Sequence, residues 1–276
     1  MPQPVALITG CSSGIGRALA EAFQGAGYSV WATARRDEDV AALGQAGFRG
    51  VRLDVDDGAA IARLAEQLQR EAGGLDVLVN NAGYGAMGPL LDGGAEALRR
   101  QFETNVFAVV ELTRACFGLL RERRGLVVNI GSVSGVLVTP FAGAYCASKA
   151  ALHALNEALR LELAPFGIGV LEVQPGAIAS SFGANAGRTW QELVDDRSPW
   201  WPLREFIRAR AGASQDKPTP AAELARQLLA AAQRQPRPRL LRVGHGSRAL
   251  PLLARWLPSG LLDKALKKRF GLDGSL

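Results

Sequence analysis

Tyr145 and Lys149 stand four residues apart in the run AYCASKAAL, and Ser132 precedes the tyrosine by thirteen residues. Residues four apart on a helix share a face, so the phenol and the ammonium are expected to point into one cleft. A phenol titrates near pH 10 and exchanges protons poorly at neutral pH. An ammonium about 4 Å away, at an effective dielectric near 20, is worth roughly 4 kcal/mol, or about three pKa units. Burial acts the other way, so the expectation is a smaller net lowering. The spacing suits a tyrosine that trades a proton with a hydroxyl or carbonyl oxygen. Taken alone, Tyr-x-x-x-Lys is also what a solvated helix face carries.

A second group lies near the start. Val5-Ala6-Leu7-Ile8-Thr9 reads as a buried strand, and Gly10-Cys11-Ser12-Ser13-Gly14-Ile15-Gly16 follows directly. Ile15, Leu19 and Phe23 then form an apolar stripe at helical spacing. Strand, glycine turn and helix is the context in which backbone amides at a helix N-terminus hold a pyrophosphate. The spacing is Gly-x-x-x-Gly-x-Gly rather than Gly-x-Gly-x-x-Gly.

The elements that must position these groups alternate. Strand-like runs fall at 5–9, 28–33, 51–53, 75–79, 126–130, 168–173 and 240–243, with helical patterns between them at 59–71, 95–120 and 144–164 among others. Alternation of this kind predicts an α/β fold, a parallel sheet with helices on both faces and right-handed crossovers. There is no internal repeat or low-complexity linker, so 1–276 reads as a single domain.

Thr9-Gly-x-x-x-Gly-x-Gly16, Asn80-Asn81-Ala82-Gly83, Asn105, Ser132, Tyr145-x-x-x-Lys149 and Pro175-Gly176 occur in an order and spacing that resemble the short-chain dehydrogenases/reductases. The likeness covers roughly residues 4–180. Its general look is nearest to the 17-beta-hydroxysteroid dehydrogenase, retinoid reductase and acyl-dihydroxyacetone-phosphate reductase branch. The resemblance implies a Rossmann-type doubly wound sheet of about seven strands and an NAD(P)-dependent oxidoreductase acting on CH–OH or C=O groups. It implies catalytic roles for Asn105, Ser132, Tyr145 and Lys149. Tyr145 would donate the proton, Ser132 would orient the substrate oxygen, Lys149 would also hold the nicotinamide ribose, and Asn105 would position a water leading from Lys149 to solvent.

The same resemblance implies a cofactor cradle from Gly10, Ser12, Ser13, Gly14, Ile15 and Gly16. Asp54 and Val55 would meet the adenine, and Asn81, Ala82 and Gly83 the adenosine ribose side. Pro175, Gly176 and Ile178 would lie by the carboxamide, with Ser180 where the family often has threonine. The second strand ends in Arg35-Arg36 rather than an acid. An arginine there accommodates a 2′-phosphate, which favours NADP(H) over NAD(H). Asp37 is close enough to complicate that choice, and both arginines could instead pair with Asp37, Glu38 and Asp39.

Composition bounds the alternatives. Three scattered cysteines and two histidines argue against a disulfide framework and a histidine-based metal site. The sequence has no apolar run of about 18 residues, so a cytoplasmic location is expected. Residues 181–217 carry Trp190, Trp200, Trp201 and Phe206 and are expected to form a lid over a lipophilic carbonyl or alcohol, or else to staple a loop to the core. Residues 233–270 hold ten Lys or Arg and a single acid, Asp263. Within the extension 245–276, Leu261, Leu262, Ala265, Leu266 and Phe270 can share one helical face. Such a basic helix either lies peripherally on anionic lipid or docks on the sheet edge. No nucleic-acid recognition motif accompanies the charge. By the family resemblance, helices 95–120 and 144–164 would pair in a homodimer or homotetramer. The rival reading is a cofactor-binding regulator without turnover, against which the intact four-residue set speaks.

Overall fold

The computed structural model describes residues 3–180 and 182–274, apart from the side chains at 184, 185, 188, 189 and 192. Ser181, within the expected lid, lies outside the described residues. Seven parallel strands form one sheet in the order β3-β2-β1-β4-β5-β6-β7. They are β1 (Val5–Ile8), β2 (Ser29–Ala34), β3 (Arg49–Arg52), β4 (Val77–Asn80), β5 (Leu126–Ile130), β6 (Gly169–Pro175) and β7 (Leu240–Val243). All seven expected strands are present, with ends displaced by no more than two residues. The helices are α1 (Gly14–Gly25), α2 (Asp37–Gln45), α3 (Gly58–Ala72), α4 (Leu90–Phe102), α5 (Ala108–Ala115), α6 (Phe117–Arg123), α7 (Gly143–Leu163), α8 (Phe182–Leu193), α9 (Arg204–Gly212), α10 (Ala221–Ala232), α11 (Ala249–Trp256) and α12 (Ser259–Arg269).

Strand alternation divides the interior into two layers. Ala6 and Ile8 of β1 face Leu19 and Phe23 of α1 and Leu224 and Leu228 of α10. Val5 and Leu7 face Leu64 and Leu68 of α3, Leu112 of α5 and Leu163 of α7 on the other side. Both faces are covered, which is why β1, β4 and β5 are apolar without a break until their C-terminal ends. A third cluster, built by Phe141, Tyr145, Trp190, Leu203, Ile207 and Phe270, sits beyond the C-terminal edge of the sheet.

The sheet order reverses between β1 and β4, where the crevice for a ligand opens in such folds. The stretch expected as one helix over 95–120 is divided. A π-helical turn (Glu103–Phe107) separates α4 from α5, and a break at Cys116 separates α5 from α6. The π turn carries Asn105, which is fully buried there. No described helix is long and apolar enough to cross a membrane.

Candidate active site

A cleft of about 970 Å³ runs over the C-terminal ends of the strands. At one end the glycine turn leaves β1. Gly10 and Gly14 have φ of 70° and 58°, a left-handed conformation that side chains disfavour. A Cβ on Gly16 would come within 2.2 Å of the Gly10 carbonyl oxygen, so Gly16 lies beneath the turn and does not line the cleft. Asn81 closes the turn from behind, its Nδ2 donating to the carbonyls of Thr9 at 2.8 Å and Gly10 at 3.2 Å.

The N-terminus of α1 is electrostatically open. Ser13 caps it without a side-chain hydrogen bond, and its first turn holds no acid. By contrast, Asp57 caps α3 by accepting from the Ala59 and Ala60 amides, and α2 begins Asp37-Glu38-Asp39. Free amides, a positive helix end and close backbone approach fit a pyrophosphate at α1 alone of these three.

The two arginines after β2 separate. Arg35 lines the cleft, and among the described residues no carboxylate lies within 4.0 Å of it. Arg36 instead donates to Asp39 at 2.8 and 2.9 Å and pairs with Glu38, outside the cleft. The expectation of a cofactor role for Arg36 is therefore corrected: Glu38 and Asp39 of α2 hold it on the surface. Asp37 pairs with Arg52 at 3.5 Å and also lies outside the cleft. Asp54, Val55, Ala82, Gly83, Pro175, Gly176, Ile178 and Ser180 all line it. A Cβ on Gly176 would meet the His245 carbonyl at 2.0 Å, so the turn after β6 requires glycine.

Ser132, Tyr145 and Lys149 converge in the cleft beside Ile130 and Gly131. Burial pushes the Tyr145 phenol up to about 12, opposed by a hydrogen bond with Ser132 and by the charge of Arg210. This corrects the expected net lowering. Lys149 Nζ stands 6.0 Å from the centre of the phenol ring and donates to the Ile130 carbonyl at 2.7 Å. Its own burial pushes its pKa down to about 8. Desolvation exceeds attraction at that separation.

Asn105 does not line the cleft. Its Nδ2 donates to the Tyr84 carbonyl at 3.0 Å and to Ser148 Oγ at 3.1 Å, while its Oδ1 accepts from the Tyr84 amide at 3.2 Å. The carboxamide thus ties the Tyr84 segment and the π turn to α7, one residue before Lys149. Its expected place on a water path from Lys149 meets a side chain whose polar atoms are already engaged.

Behind Ser132 lies a group that the sequence reading left aside. His153, one helical turn beyond Lys149, has its Nε2 3.3 Å from Glu172 Oε1 and 3.4 Å from the Ser132 amide. Burial, with Lys149 and Arg242 nearby, pushes His153 down to about 4, and burial pushes Glu172 up against the opposing charge of Arg242, so both are driven toward neutral forms. The imidazole also fills the space that a Cβ on Gly131 or Gly135 would need.

The far end of the cleft is lined by Met87, Leu137, Phe182, Leu250, Leu266 and Phe270. The expected tryptophan walls are absent there. Trp190 is buried in the third core cluster, Trp200 packs on Phe141 with ring centroids 6.2 Å apart, and Trp201 lies under Arg204. They fasten residues 182–217 to the core, and from that segment Phe182, Arg210, Ala213, Ser214 and Asp216 reach the cleft. The tail docks: Phe270 is buried, Leu262 and Leu266 are half-buried, and Leu261 and Ala265 are exposed. Arg210 was the principal omission. Its signal was the spacing of Leu203, Ile207 and Ala211, which turns position 210 toward the buried side of α9.

A family model described as short chain dehydrogenase matches residues 4–191. A short-chain dehydrogenase/reductase of Pestalotiopsis microspora is 33% identical over 270 residues, covering 97% of this chain and 94% of its own. The NADPH-dependent 1-acyldihydroxyacetone phosphate reductase of Schizosaccharomyces pombe is 34% identical over 204 residues, 73% of this chain and 69% of its own. Two solved structures overlay nearly the whole chain. A short-chain dehydrogenase/reductase from Burkholderia phymatum in complex with NAD is 26% identical, with a TM-score of 0.78 over 99% of this chain and 98% of that one. A short-chain dehydrogenase from Burkholderia cenocepacia in complex with NADP is 25% identical, with a TM-score of 0.74 over 99% and 98%.

Proposed function

Because the chain belongs to the short-chain dehydrogenases/reductases, oxidoreductases acting on CH–OH or C=O groups with NAD(P), we propose that it interconverts a lipophilic ketone or aldehyde and its alcohol, using NADP(H) in preference to NAD(H). The observation that carries this reading is one continuous cleft. It has an open helix end and Arg35 at one end, Ser132, Tyr145 and Lys149 in the middle, and apolar walls beyond. The cofactor, when bound, supplies or accepts the hydride. Ser12, Ser13 and Gly14 would hold its pyrophosphate, Arg35 its 2′-phosphate, and Lys149 its nicotinamide ribose. Tyr145 acts as general acid toward the substrate oxygen in reduction and as general base in oxidation, while Ser132 orients that oxygen. A relative named as NADPH-dependent and a neighbour solved with NADP support the cofactor preference, and a neighbour solved with NAD makes it a point to measure.

The test is NADPH oxidation against steroid ketones, retinoid and long-chain aldehydes and acyl-dihydroxyacetone phosphate, with NADH run in parallel. The expected outcome is turnover that prefers NADPH and that Tyr145→Phe reduces by about a thousandfold or more. Turnover unaffected in Tyr145→Phe would remove the mechanism. Tight NADPH binding with no turnover on any substrate would favour a regulator.

Two features of the surface extend the proposal. Leu252, Leu253, Trp256 and Leu261 are exposed on α11 and α12 beside Arg248, Arg255, Lys264, Lys267 and Lys268, a combination suited to peripheral contact with anionic lipid. Co-sedimentation with anionic but not neutral vesicles, lost in Trp256→Ser with Lys267→Glu and Lys268→Glu, is the expected result. Leu161 on α7 and Phe107 on the π turn are also exposed, as a homo-oligomer pairing through these helices requires. A monomeric mass by light scattering would remove that part.

A further inference from the structure

Arg210 is a charged group that the hydride and proton chemistry leaves without a task. It projects from α9 into the substrate half of the cleft, where its Nε donates to Thr139 Oγ1 at 2.7 Å. Its guanidinium lies against Cys146 and within electrostatic reach of Tyr145. Among the described residues, no Asp or Glu comes within 4.0 Å of it. The acids that line the cleft lie elsewhere. Asp54, Asp56 and Glu103 stand by the cofactor end, and Asp216 is exposed on the rim. The charged neighbour it does have is another cation, Arg269 at the end of α12, which lines the same part of the cleft. A desolvated cation facing a second cation is unfavourable until an anion arrives. A guanidinium fork matches carboxylate and phosphate oxygens in pairs. The cofactor's phosphates are not that anion, because their site is formed by the α1 terminus and Arg35, whereas Thr139 and Cys146 belong to the segment bearing Tyr145.

We propose that Arg210, with Arg269 beside it, binds an anionic group of the substrate, a carboxylate or phosphate monoester a few bonds from the reacting carbonyl, while Phe182, Leu266 and Phe270 take its hydrocarbon part. The placement of the carbonyl rests on the reading of Tyr145 as proton donor, but the anion site itself does not.

The test has a binding arm and a kinetic arm, both on the full chain loaded with NADP. Binding of laurate, dodecyl phosphate and neutral methyl laurate is measured by calorimetry on the wild type, Arg210→Gln, Arg210→Lys and Arg208→Gln. Glutamine keeps a donor for Thr139 and removes the charge, and Arg208 is an exposed control on the same helix. The wild type is expected to bind at least one of the two anions more tightly than the ester, and which one identifies the group. Arg210→Gln should weaken that anion by about thirtyfold, Arg210→Lys by less, and Arg208→Gln not at all. In the kinetic arm, a long-chain 3-oxo acid is compared with its methyl ester, and a phosphooxymethyl ketone with its dephosphorylated form. The ratio of kcat/KM for anionic over neutral partner should collapse in Arg210→Gln, mainly through KM.

Equal wild-type binding of ester and anions, a preference that survives Arg210→Gln, or an equal loss in Arg208→Gln would each overturn the proposal. Anion binding that depends on Arg210 without any turnover would sustain the site and count against the reductase reading instead.

Discussion

At the scale of single residues, burial governs the chemistry more than proximity does. The Tyr145 phenol, pushed up to about 12, is fully protonated at neutral pH and ready to donate. Reduction is therefore expected to stay level from pH 6 to below 8. Oxidation needs the phenolate, so its kcat/KM should rise about tenfold per pH unit over the same range, in steady-state rates run in both directions. Lys149 is a base whose folded pKa, about 8, lies below the ordinary lysine value of 10.5. Below pH 8 both folded and unfolded chains carry its proton and the fold bears the full desolvation penalty. As pH rises from 8 toward 10.5 the fold sheds the proton first, so stability from this group rises by an amount on the order of 3 kcal/mol. Denaturant unfolding of the wild type minus Lys149→Met across that window should show the gain. Arg35→Ser should shift the NADPH-to-NADH ratio of kcat/KM by about tenfold or more toward NADH, since a charge-assisted phosphate contact is lost. Gly16→Ala would drive a Cβ into the Gly10 carbonyl. The expected loss is about 1–3 kcal/mol of stability by thermal unfolding, together with weaker cofactor binding in titration.

At the scale of elements, α7 positions the site by what holds it at several levels. Asn105 in the π turn reaches Ser148, and Asn129 of β5 donates to Asn156 at 2.6 Å while accepting from Asn80 of β4 at 2.7 Å. These buried amides fix the ends of β4 and β5 relative to the helix that bears Tyr145 and Lys149. A π turn is a recurrent device where a helix must present an otherwise unfavoured residue at a functional site. Asn105→Ala leaves the Tyr84 amide without its side-chain acceptor, while the Tyr84 carbonyl keeps Gln101 Nε2 as a donor at 2.8 Å. About 1–3 kcal/mol of stability should be lost in denaturant unfolding, with slower turnover, while Asn105→Asp should retain part of the stability.

At the scale of the molecule, the C-terminal segment completes the cleft. Phe270 is buried against Phe141, their ring centroids 6.2 Å apart, and Leu266 and Arg269 line the same wall. Removing residues 259–276 would therefore open the substrate end as well as strip surface charge, which is why point substitutions are the sounder probe of lipid contact. Phe270→Ala is expected to cost about 3–5 kcal/mol by thermal unfolding and to raise KM for apolar substrates more than it lowers kcat.

The sequence by itself determined the frame: the alternation of strand and helix that yields a parallel sheet, the glycine turn, and the identities of Ser132, Tyr145 and Lys149. The alternation and the turn follow from periodicity and spacing, which are local properties of the chain, and the three side chains from the resemblance that the ordered motifs carry. Tertiary structure decided the rest. It set Arg35 in the cleft and Arg36 on the surface, packed the tryptophans against the core rather than around the cleft, docked Phe270, and turned Arg210 inward. It also reversed the sign of the shift at Tyr145. Each outcome depends on desolvation and on partners brought together from distant parts of the chain, and such sums exist only once the elements have packed.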